Sequence, residues 1–451
     1  MATWNEIRHS SLSNNLRIEA EYYQKHYLFV EKRMEKLKAE KITKYIKKIT
    51  DGTHYTPTYV NKGVKFFSAL NVKENYFDID EKYKYISEKE HRVLYKRCNP
   101  ESGDILIRKV GVGPRWSCVI PNTIKDEFSI FVSLALLKVN TSIISPYYLS
   151  TFINSYYGQN QLIRIQKGVS QPDLHLEDIA QLRVPRFSDD LESEIEEMVL
   201  KGIASLSKSN ILYAQAQEFL DKELGLDSLI PNGKNSYEVP LSSVVNSHRI
   251  DAQCYKPEYV DYEKHLRRRG NYDCLRDVLS FMIKGQQAKT VEDGDLEYVS
   301  IKDIQRIEVY SKEYCRSSSK LRVANNDDLL LAITGATIGK IGIVSRSAKL
   351  AFSGDLLSLR TNTKIDPYYL LAVMSNPIGQ SQFQRWITGS TNGHLSPVDV
   401  NKIVIPRLPS DSERKISDLV KSSIETCFES EQLLKESKER VEELIEGGCK
   451  Q

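Results

Sequence analysis

Ser145-Pro-Tyr-Tyr-Leu149 recurs in this chain of 451 residues as Asp366-Pro-Tyr-Tyr-Leu370. Further matches lie downstream and keep the same register. They are Gly158-Gln159 with Gly379-Gln380, Gly168 with Gly389, and Val184-Pro185-Arg186 with Ile405-Pro406-Arg407. Several independent matches in one register indicate a tandem duplication with a repeat of roughly 220 residues.

The same duplication extends upstream of that segment. Arg17-Ile-Glu-Ala-Glu-Tyr-Tyr23 recurs as Arg249-Ile-Asp-Ala-Gln-Cys-Tyr255 near the start of the second half. Two interior pairs follow at slightly different spacing, which indicates loop insertions. They are Gly103-Asp-Ile-Leu-Ile107 with Asp327-Asp-Leu-Leu-Leu331, and Phe128-Ser129 with Phe352-Ser353. The sequence therefore predicts two homologous halves.

Each half closes with a run that has helical spacing of its apolar residues, an acidic start and no proline. The repeated positions are Ile195, Val199, Ile203, Leu206, Tyr213, Leu220 and Leu224 in the first run, and Ile416, Val420, Ile424, Cys427, Leu434, Val441 and Ile445 in the second. A helix this long needs a partner along its apolar face. We expect the two helices to pair antiparallel as a coiled coil. The alternative is that each helix packs on its own globular unit.

The predicted fold is therefore α+β, with two homologous mixed α/β domains joined by two long antiparallel coiled-coil helices as a pseudo-two-fold tandem repeat. The predicted boundaries are 1–188 for the first domain with its N-terminal lead, 189–228 for the first long helix, 229–409 for the second domain with its linker, and 410–451 for the second long helix. The linker itself spans residues 229–236 and is rich in Pro, Gly and Asn.

The composition indicates a folded protein outside the membrane. Hydrophobic residues make up 40% of the chain and charged residues 27%, which is enough apolar material for sizeable cores. The strongly apolar stretch from Ile130 to Val139 is about half of what a spanning helix needs. Polar residues occupy the N-terminus where a signal peptide would be apolar, and the seven cysteines are scattered. We expect a cytoplasmic protein with reduced thiols and no membrane partner.

The net charge of +3 says little about the partner, whereas the distribution of charge says more. Basic residues cluster between Lys32 and Lys48 and again at Arg267, Arg268 and Arg269. Two basic clusters fit two phosphate-contacting surfaces, and solvated helix faces are the alternative.

Catalytic motifs are missing from the sequence. Gly335-Ala-Thr-Ile-Gly339-Lys340 differs from a P-loop in its glycine spacing and in having Ile341 after the lysine, so we expect a turn between strands there. The chain has no His-Glu-x-x-His and no Gly-x-Ser-x-Gly. The Ser145 and Asp366 segments lack the second proline of a DNA amino-methyltransferase motif and are better explained as helix starts. We therefore predict a non-catalytic chain without a metal site.

Binding chemistry is better represented. Asp51-Gly-Thr-His-Tyr-Thr-Pro-Thr-Tyr59 combines hydroxyls, an imidazole and aromatic rings in one turn, which suits contacts to phosphates and base edges. The equivalent region of the second half is Lys284-Gly-Gln-Gln-Ala-Lys289, and glutamine side chains can bind adenine in the major groove. Arg108, Lys109, Arg115 and Trp116 correspond loosely to Thr334, Thr337 and Lys340.

Two further loops match between the halves, and each follows a helix with a basic residue. They are residues 167–172 and 388–394. The candidate DNA-binding residues are Thr53, His54, Thr56, Tyr59, Arg108, Lys109, Arg115, Lys167, Ser170 and Gln171 in the first half, and Lys284, Gln286, Gln287, Thr334, Lys340, Arg385, Thr391, Asn392 and His394 in the second. For each residue the alternative is a solvated turn or a structural hydrogen bond. Because the loops differ while their framing residues repeat, we expect two readers of different DNA sequences.

Taken together, these segments resemble the specificity subunit of a type I DNA restriction-modification system over essentially the whole chain. The resemblance rests on Asp51-Gly-Thr-His-x-Thr-Pro-x-Tyr59, on Gly103-Asp-Ile-Leu-Ile107, on Asp366-Pro-Tyr-Tyr-Leu370, on the strand ends Val184-Pro185 and Ile405-Pro406, and on the duplication. It implies two target recognition domains that each read half of a bipartite double-stranded DNA site, with the helices setting the gap.

The resemblance also implies partners. Two DNA methyltransferase (modification) subunits that use S-adenosylmethionine on adenine N6 would dock on this chain, and two ATP/Mg-dependent restriction/translocase subunits could be added. This chain would itself bind no cofactor. The rival hypothesis is a stand-alone DNA-binding or scaffold protein of the same fold without methyltransferase partners. A fused single-chain restriction enzyme is disfavoured because the two repeats leave no room for a catalytic domain.

Overall fold

The computed structural model describes residues 19–80, 82–168, 172–229, 236–389 and 392–447. Two compact units divide the chain, one with residues 1–206 and 429–451 and the other with residues 207–428. Outside the described residues lie Arg17 and Ile18 of the repeated lead and residues 230–235 of the linker.

The first unit is built around two small sheets. Its helices are α1 (Lys25–Lys36), α2 (Glu88–Tyr95), α3 (Pro146–Asn154), α4 (Tyr156–Ile165) and α5 (Leu176–Ile179). Its strands are β1 (Glu40–Lys41), β2 (Ile46–Asp51), β3 (Tyr59–Val60), β4 (Val64–Phe67), β5 (Val72–Lys73), β6 (Tyr76–Phe77), β7 (Lys84–Ile86), β8 (Ile105–Arg108), β9 (Ser117–Val119), β10 (Ser129–Ile130), β11 (Leu134–Val139) and β12 (Arg183–Val184). The first long helix, α6 (Asp189–Leu224), begins in this unit.

The second unit has a similar order of elements, with a strand (Val323–Asn325) at the place of helix α2. Its helices are α7 (Leu241–Ser247), α8 (Pro257–Arg269), α9 (Leu275–Val278), α10 (Pro367–Ser375), α11 (Pro377–Trp386) and α12 (Pro397–Val400). Its strands are β13 (Tyr272–Cys274), β14 (Leu279–Lys284), β15 (Leu296–Val299), β16 (Ile304–Gln305), β17 (Glu308–Val309), β18 (Tyr314–Cys315), β19 (Val323–Asn325), β20 (Leu329–Ala332), β21 (Ile341–Ile343), β22 (Lys349–Phe352), β23 (Leu356–Thr361) and β24 (Val404–Pro406). The second long helix is α13 (Ser410–Gly447).

The sheets of the two units share a common set of strands, although the larger sheet of the second unit has six strands and that of the first has four. The first unit has the order β2-β11-β8-β9, and the second contains β14-β23-β20-β21 at the equivalent place. A second sheet has a parallel pair in each unit, β4 with β10 and β15 with β22. A two-stranded antiparallel pair, β1 with β12 and β13 with β24, leads into each long helix. The predicted pair of homologous mixed α/β domains is confirmed.

The repeated sequence motifs are the residues that start helices and join them to strands. The side chains of Ser145 and Asp366 cap α3 and α10, each accepting hydrogen bonds from two backbone amides. Gly158 and Gly379 are required by close packing, because a Cβ atom would lie 2.2 Å from the Phe152 carbonyl oxygen and 2.5 Å from that of Val373.

The long helices run antiparallel within each unit. In the first unit, Ser430 Oγ donates to the Gly202 carbonyl oxygen at 2.6 Å, and Arg440 lies beside Glu194. In the second, the Ser209 and Ser423 hydroxyls each donate to the carbonyl oxygen of the other residue, at 2.7 and 2.8 Å.

Each helix also packs on the globular core of a unit. Ile195 and Val199 join the core of the first unit. Ile416 and Val420 join the core of the second. The predicted antiparallel pairing is therefore confirmed, and packing on the globular units accompanies it.

Candidate nucleic-acid interface

The polar loops of the first unit gather at one end of the sheet β2-β11-β8-β9. Strands β2 and β8 end there, and β9 and β11 begin there, because Asp51 faces Ala135 and Arg108 faces Leu134 in the antiparallel register. Lys167 and Asp173 join them, since Asp173 forms β-bridges with both Val110 and Lys167. We call this the first loop end. It brings together three of the segments that the sequence predicted as DNA-binding.

The second unit has the same arrangement at the equivalent end of β14-β23-β20-β21. The loop after β14 begins at Gly285, and the loop after β20 forms a β-bridge between Thr334 and His394. We call this the second loop end. The turn between β20 and β21 contains Gly335 and Gly339, so the predicted turn between strands is confirmed for the P-loop-like segment.

Glycine is required where each loop leaves its sheet. A Cβ atom on Gly52 would lie 2.1 Å from the Ile130 carbonyl oxygen, and one on Gly285 would lie 2.3 Å from that of Ser353. Real side chains do not reach such distances, so these positions have to remain glycine for the loops to pass this close to the neighbouring strand. The loops are thus placed by backbone packing.

A buried ion pair fixes the base of the first loop end. Lys109 Nζ lies 2.9 Å from Asp51 Oδ2, and both side chains are 5% exposed. Arg97 donates to the backbone carbonyl oxygens of Asp51 and Gly52 at 3.0 and 2.8 Å. The imidazole of His54 contacts the same carboxylate at 3.2 Å, while 62% of the His54 side chain remains exposed. Lys109 and Arg97 therefore hold the turn from which His54 projects.

Asp355 fixes the base of the second loop end in a corresponding way. Its carboxylate accepts hydrogen bonds from Thr334 Oγ1 at 2.6 Å and from Gln287 Nε2 at 3.0 Å. Gln287 also accepts a hydrogen bond from the Tyr298 hydroxyl at 3.0 Å. Neither Asp355 nor Arg97 was identified from the sequence. Their partners lie far away along the chain, and no local motif marks them.

Several of the predicted DNA-binding residues are exposed at the two loop ends or on the strand beside them. At the first loop end these residues are His54, Thr56, Tyr59 and Lys167, and at the second they are Lys284, Gln286, Gln287 and Asn392. Lys167 pairs with Asp178 at 2.9 Å and is 47% exposed. His394 is partly buried and bound to Thr388 through its backbone. Ser170, Gln171 and Thr391 lie outside the described residues.

Other predicted residues have internal partners. Arg115 is 1% exposed and donates to the Gln166 side chain at 2.8 Å, and burial lowers the pKa of its guanidinium. Arg108 donates to the Val72 carbonyl oxygen at 2.6 Å, and Thr53 is buried. Such side chains hold the loops in place in this structure, so direct DNA contact by them is not supported.

Two predicted DNA-binding residues of the second half likewise have partners within the protein. Lys340 Nζ lies 3.4 Å from the Ile301 carbonyl oxygen. Arg385 forms a buried ion pair with Glu263 and donates to the Cys254 carbonyl oxygen at 3.0 Å, so it fastens α11 to α8.

The predicted correspondence between the halves needs one correction. Gln159 Nε2 donates to the Arg115 carbonyl oxygen and Gln380 Nε2 to that of Gly339, which makes Arg115 and Gly339 equivalent. By the same register Lys340 is equivalent to Trp116. Of the loose match of Arg108, Lys109, Arg115 and Trp116 to Thr334, Thr337 and Lys340, the pair Trp116 with Lys340 therefore agrees with the structure. Thr334 corresponds instead to Val110, because these two residues form the equivalent β-bridges.

Most residues of the two basic clusters lie away from the loop ends, whereas Lys48 of β2 donates to the Arg97 carbonyl oxygen at 2.7 Å. Lys41 and Lys44 precede β2, whose other end carries Asp51 and the first loop end. Arg267 pairs with Glu263 at 2.8 Å, and Arg269 donates to the Glu223 carbonyl oxygen at 2.7 Å. These arginines stabilise the end of α6 and the fold of α8, as cations near a helix C-terminus do.

The described ranges contain neither a membrane-spanning helix nor a metal site. No helix there is both long and apolar enough to cross a bilayer. In the same residues, no group of three or more His, Cys, Asp and Glu side chains is arranged to hold a metal ion.

Comparison with family models and with curated proteins gives no match. Among solved structures, the S subunit of a type I restriction-modification system from M. genitalium aligns with 90% of this chain and 94% of its own, at 12% identity and a TM-score of 0.46. The HsdS subunit from Thermoanaerobacter tengcongensis aligns with 90% of this chain and 96% of its own, at 15% identity and a TM-score of 0.29.

A shorter alignment, over 41% of this chain and 29% of the other, is with the type IIG restriction endonuclease BpuSI, at 10% identity and a TM-score of 0.32. The structures that this chain resembles along most of its length are thus type I S subunits. Identities below 25% and TM-scores below 0.5 leave the function to be argued from the residues of this chain.

Proposed function

We propose that this chain is the non-catalytic specificity subunit of a type I restriction-modification complex. Each unit reads one half of a bipartite DNA site through its loop end. The observation that carries the proposal is the pair of equivalent loop ends with different exposed side chains: His54 and Thr56 in the first unit, Gln286 and Asn392 in the second. Equivalent placement with different chemistry is what two readers of different half-sites require.

The side chains suit this task. Hydroxyl, imidazole and amide groups both donate and accept hydrogen bonds, and glutamine or asparagine pairs with adenine in the major groove. Rigid support is also present, since Asp51 and Asp355 each tie several loop residues to the sheet. A reader that is held in place loses less entropy when it binds DNA.

The remaining roles in the proposal belong to the long helices and to other chains. The antiparallel helices set the gap between the half-sites, and two modification subunits dock on the repeated surfaces of the chain. Those subunits supply S-adenosylmethionine chemistry on adenine, and restriction subunits that use ATP and Mg²⁺ make the assembly a nuclease. The complex would act in the cytoplasm.

Two measurements test the proposal. Affinity purification from the source cell, with this chain as bait, is expected to recover an adenine methyltransferase. Sequencing of methylated adenines with and without the chain is expected to show loss of one interrupted motif. Recovery of no methyltransferase together with an unchanged methylome would overturn the proposal and leave a stand-alone DNA-binding scaffold as the better description.

A further inference from the structure

The second sheet of the first unit carries lysine and tyrosine side by side. Residues 59–67 and 82–86, which include β3, β4 and β7, contain Lys62, Lys65, Lys82 and Lys84 and three tyrosines, without an Asp or Glu. Acids flank this segment, since Glu81 precedes Lys82 in the sequence and the Asp78 carboxylate accepts a hydrogen bond from the Asp80 amide at 3.2 Å. We call the face of β4 and β7 that carries Lys65, Tyr83 and Tyr85, together with Lys62 in the turn before β4, the lysine–tyrosine surface.

The side chains of this surface are arranged in contacting pairs. Lys65 faces Tyr85 across β4 and β7, and its Nζ lies 4.7 Å from the centroid of the Tyr83 ring. The hydroxyls of Tyr83 and Tyr85 are 3.3 Å apart. On the other face of β7, Lys84 Nζ lies 5.7 Å from the ring of Tyr59, so this pair lies outside the lysine–tyrosine surface. The lysine–tyrosine surface thus combines two ammonium groups with two phenol hydroxyls.

The lysine–tyrosine surface is continuous with the first loop end. The loop after β2 leads directly into β3 at Tyr59. Strand β10 pairs in parallel with β4, and the Thr53 amide donates to the Ile130 carbonyl oxygen at 3.1 Å. The same DNA that meets His54 and Thr56 would therefore pass beside these lysines.

The equivalent surface of the second unit has a different charge. Strand β15 carries Glu297, which accepts hydrogen bonds from Ser311 and Ser347. Asp293 pairs with Arg316 at 2.6 Å, and Asp295 accepts a hydrogen bond from the Ser317 amide at 2.7 Å. Basic residues are present here too, but acids accompany them, as the pairs Lys302–Glu313 and Arg316–Asp293 show.

We propose that the lysine–tyrosine surface binds the sugar-phosphate backbone of duplex DNA next to the first half-site. This inference rests on the proposed function. Lysine and tyrosine side chains are common donors to phosphate oxygens, and such contacts position a protein on DNA without reading its sequence. The first unit accordingly supplies more of the salt-dependent affinity than the second. Continuity with the loop end favours DNA over an acidic protein as the occupant.

Salt dependence of DNA binding by the full-length chain tests the inference. The variant Lys62→Gln/Lys65→Gln removes both charges from the surface. The matched control Lys320→Gln/Lys349→Gln removes two exposed lysines of the second unit, one just before β19 and one in β22. Binding is measured by fluorescence anisotropy over a range of KCl concentrations, with one duplex that carries the motif found by methylome sequencing and one of scrambled sequence.

Each lost phosphate contact is expected to reduce the magnitude of the negative slope of log K against log salt by about 0.9. We expect this magnitude to fall by about 2 for the first variant with both duplexes and by less than about 1 for the control, with an unchanged preference for the motif. Tyr83→Phe/Tyr85→Phe, which keeps the rings and removes the hydroxyls, is expected to weaken binding to both duplexes. This tyrosine variant also tests the surface if circular dichroism shows that the lysine variant is misfolded.

The outcomes separate this inference from the proposed function. Specific binding by the wild type with unchanged slopes in the lysine variant overturns the inference alone, and so do equal decreases in variant and control. An unchanged slope together with loss of a co-purifying methyltransferase would assign the surface to a protein partner and also overturn the inference. Absence of DNA binding by the wild type would overturn both.

Discussion

The hydroxyl of Tyr148 donates a hydrogen bond to the carbonyl oxygen of Pro185 at 2.8 Å, and both groups are buried in the first unit. Tyr369 makes the same bond to Pro406, also at 2.8 Å, in the second. Each tyrosine belongs to the repeated Pro-Tyr-Tyr-Leu segment, and each proline precedes a long helix. The motifs that reveal the duplication are therefore the residues that fasten the start of each long helix to its globular unit.

Tyr148→Phe is expected to lower the free energy of unfolding by about 1–3 kcal/mol. The change removes one hydrogen bond and leaves the buried Pro185 carbonyl oxygen without its donor. Tyr369→Phe should have a similar effect in the second unit. Urea unfolding, followed by circular dichroism, measures both.

Tyr156→Phe is the control, because this neighbouring ring is 45% exposed. A surface change of this kind is expected to stay within about 0.5 kcal/mol of the wild type. If the free energies of unfolding of Tyr148→Phe and Tyr156→Phe cannot be distinguished, the Tyr148 hydroxyl does not anchor the start of the long helix.

Lys109→Met is expected to destabilise the first unit by about 1–3 kcal/mol, because the Asp51 carboxylate loses its buried partner and keeps only its contacts with Arg97 and His54. Addition of Asp51→Asn should recover part of the loss, since the buried charge is then removed as well. Lys167→Met serves as the control. Lys167 pairs with Asp178 while 47% exposed, so its loss should cost less than about 1 kcal/mol. Equal costs for Lys109→Met and Lys167→Met in urea unfolding would contradict the assigned role of the buried pair.

Much of the architecture could be predicted from the sequence because the repeat carries its own signal. Matching segments such as Ser145–Leu149 and Asp366–Leu370 gave the duplication, and the spacing of apolar residues gave α6 and α13. Both features depend on local pattern, which a single sequence displays directly. In the sequence, the polar loops follow the repeated strands in the same order in both halves. In the structure, these loops lie at one end of each sheet.

Which polar side chains face solvent could not be predicted in the same way. Lys109 and Arg385 looked like DNA contacts, but Lys109 pairs with Asp51, 58 residues away, and Arg385 pairs with Glu263, 122 residues away. Nothing in the local sequence distinguishes such a buried cation from an exposed one. Arg115 belongs to the same class, since its partner Gln166 comes from a different loop.

Gly285→Ala is expected to destabilise the second unit by about 1–3 kcal/mol, as overpacking does. The added methyl group would lie 2.3 Å from the Ser353 carbonyl oxygen, so the loop that carries Gln286 must move away from β22. Gly354→Ala is a matched control, because its methyl group would find its nearest neighbour at 3.6 Å. Urea unfolding of the two variants checks this, and a similar loss of stability in both would show that the close approach at Gly285 is not the cause.

Changes at one loop end are expected to alter one half-site only. His54→Ala/Thr56→Ala removes exposed groups of the first loop end, and Gln286→Ala/Asn392→Ala removes those of the second. Loss of a base-edge contact typically costs about 1–3 kcal/mol, which relaxes recognition at the base concerned. Methylome sequencing of cells that carry each variant should show degeneracy confined to one half of the motif, and to opposite halves for the two variants. Tyr148→Phe is the control for reduced stability, and it should lower methylation without changing the motif. Degeneracy in both halves from either variant would contradict independent reading by the two units.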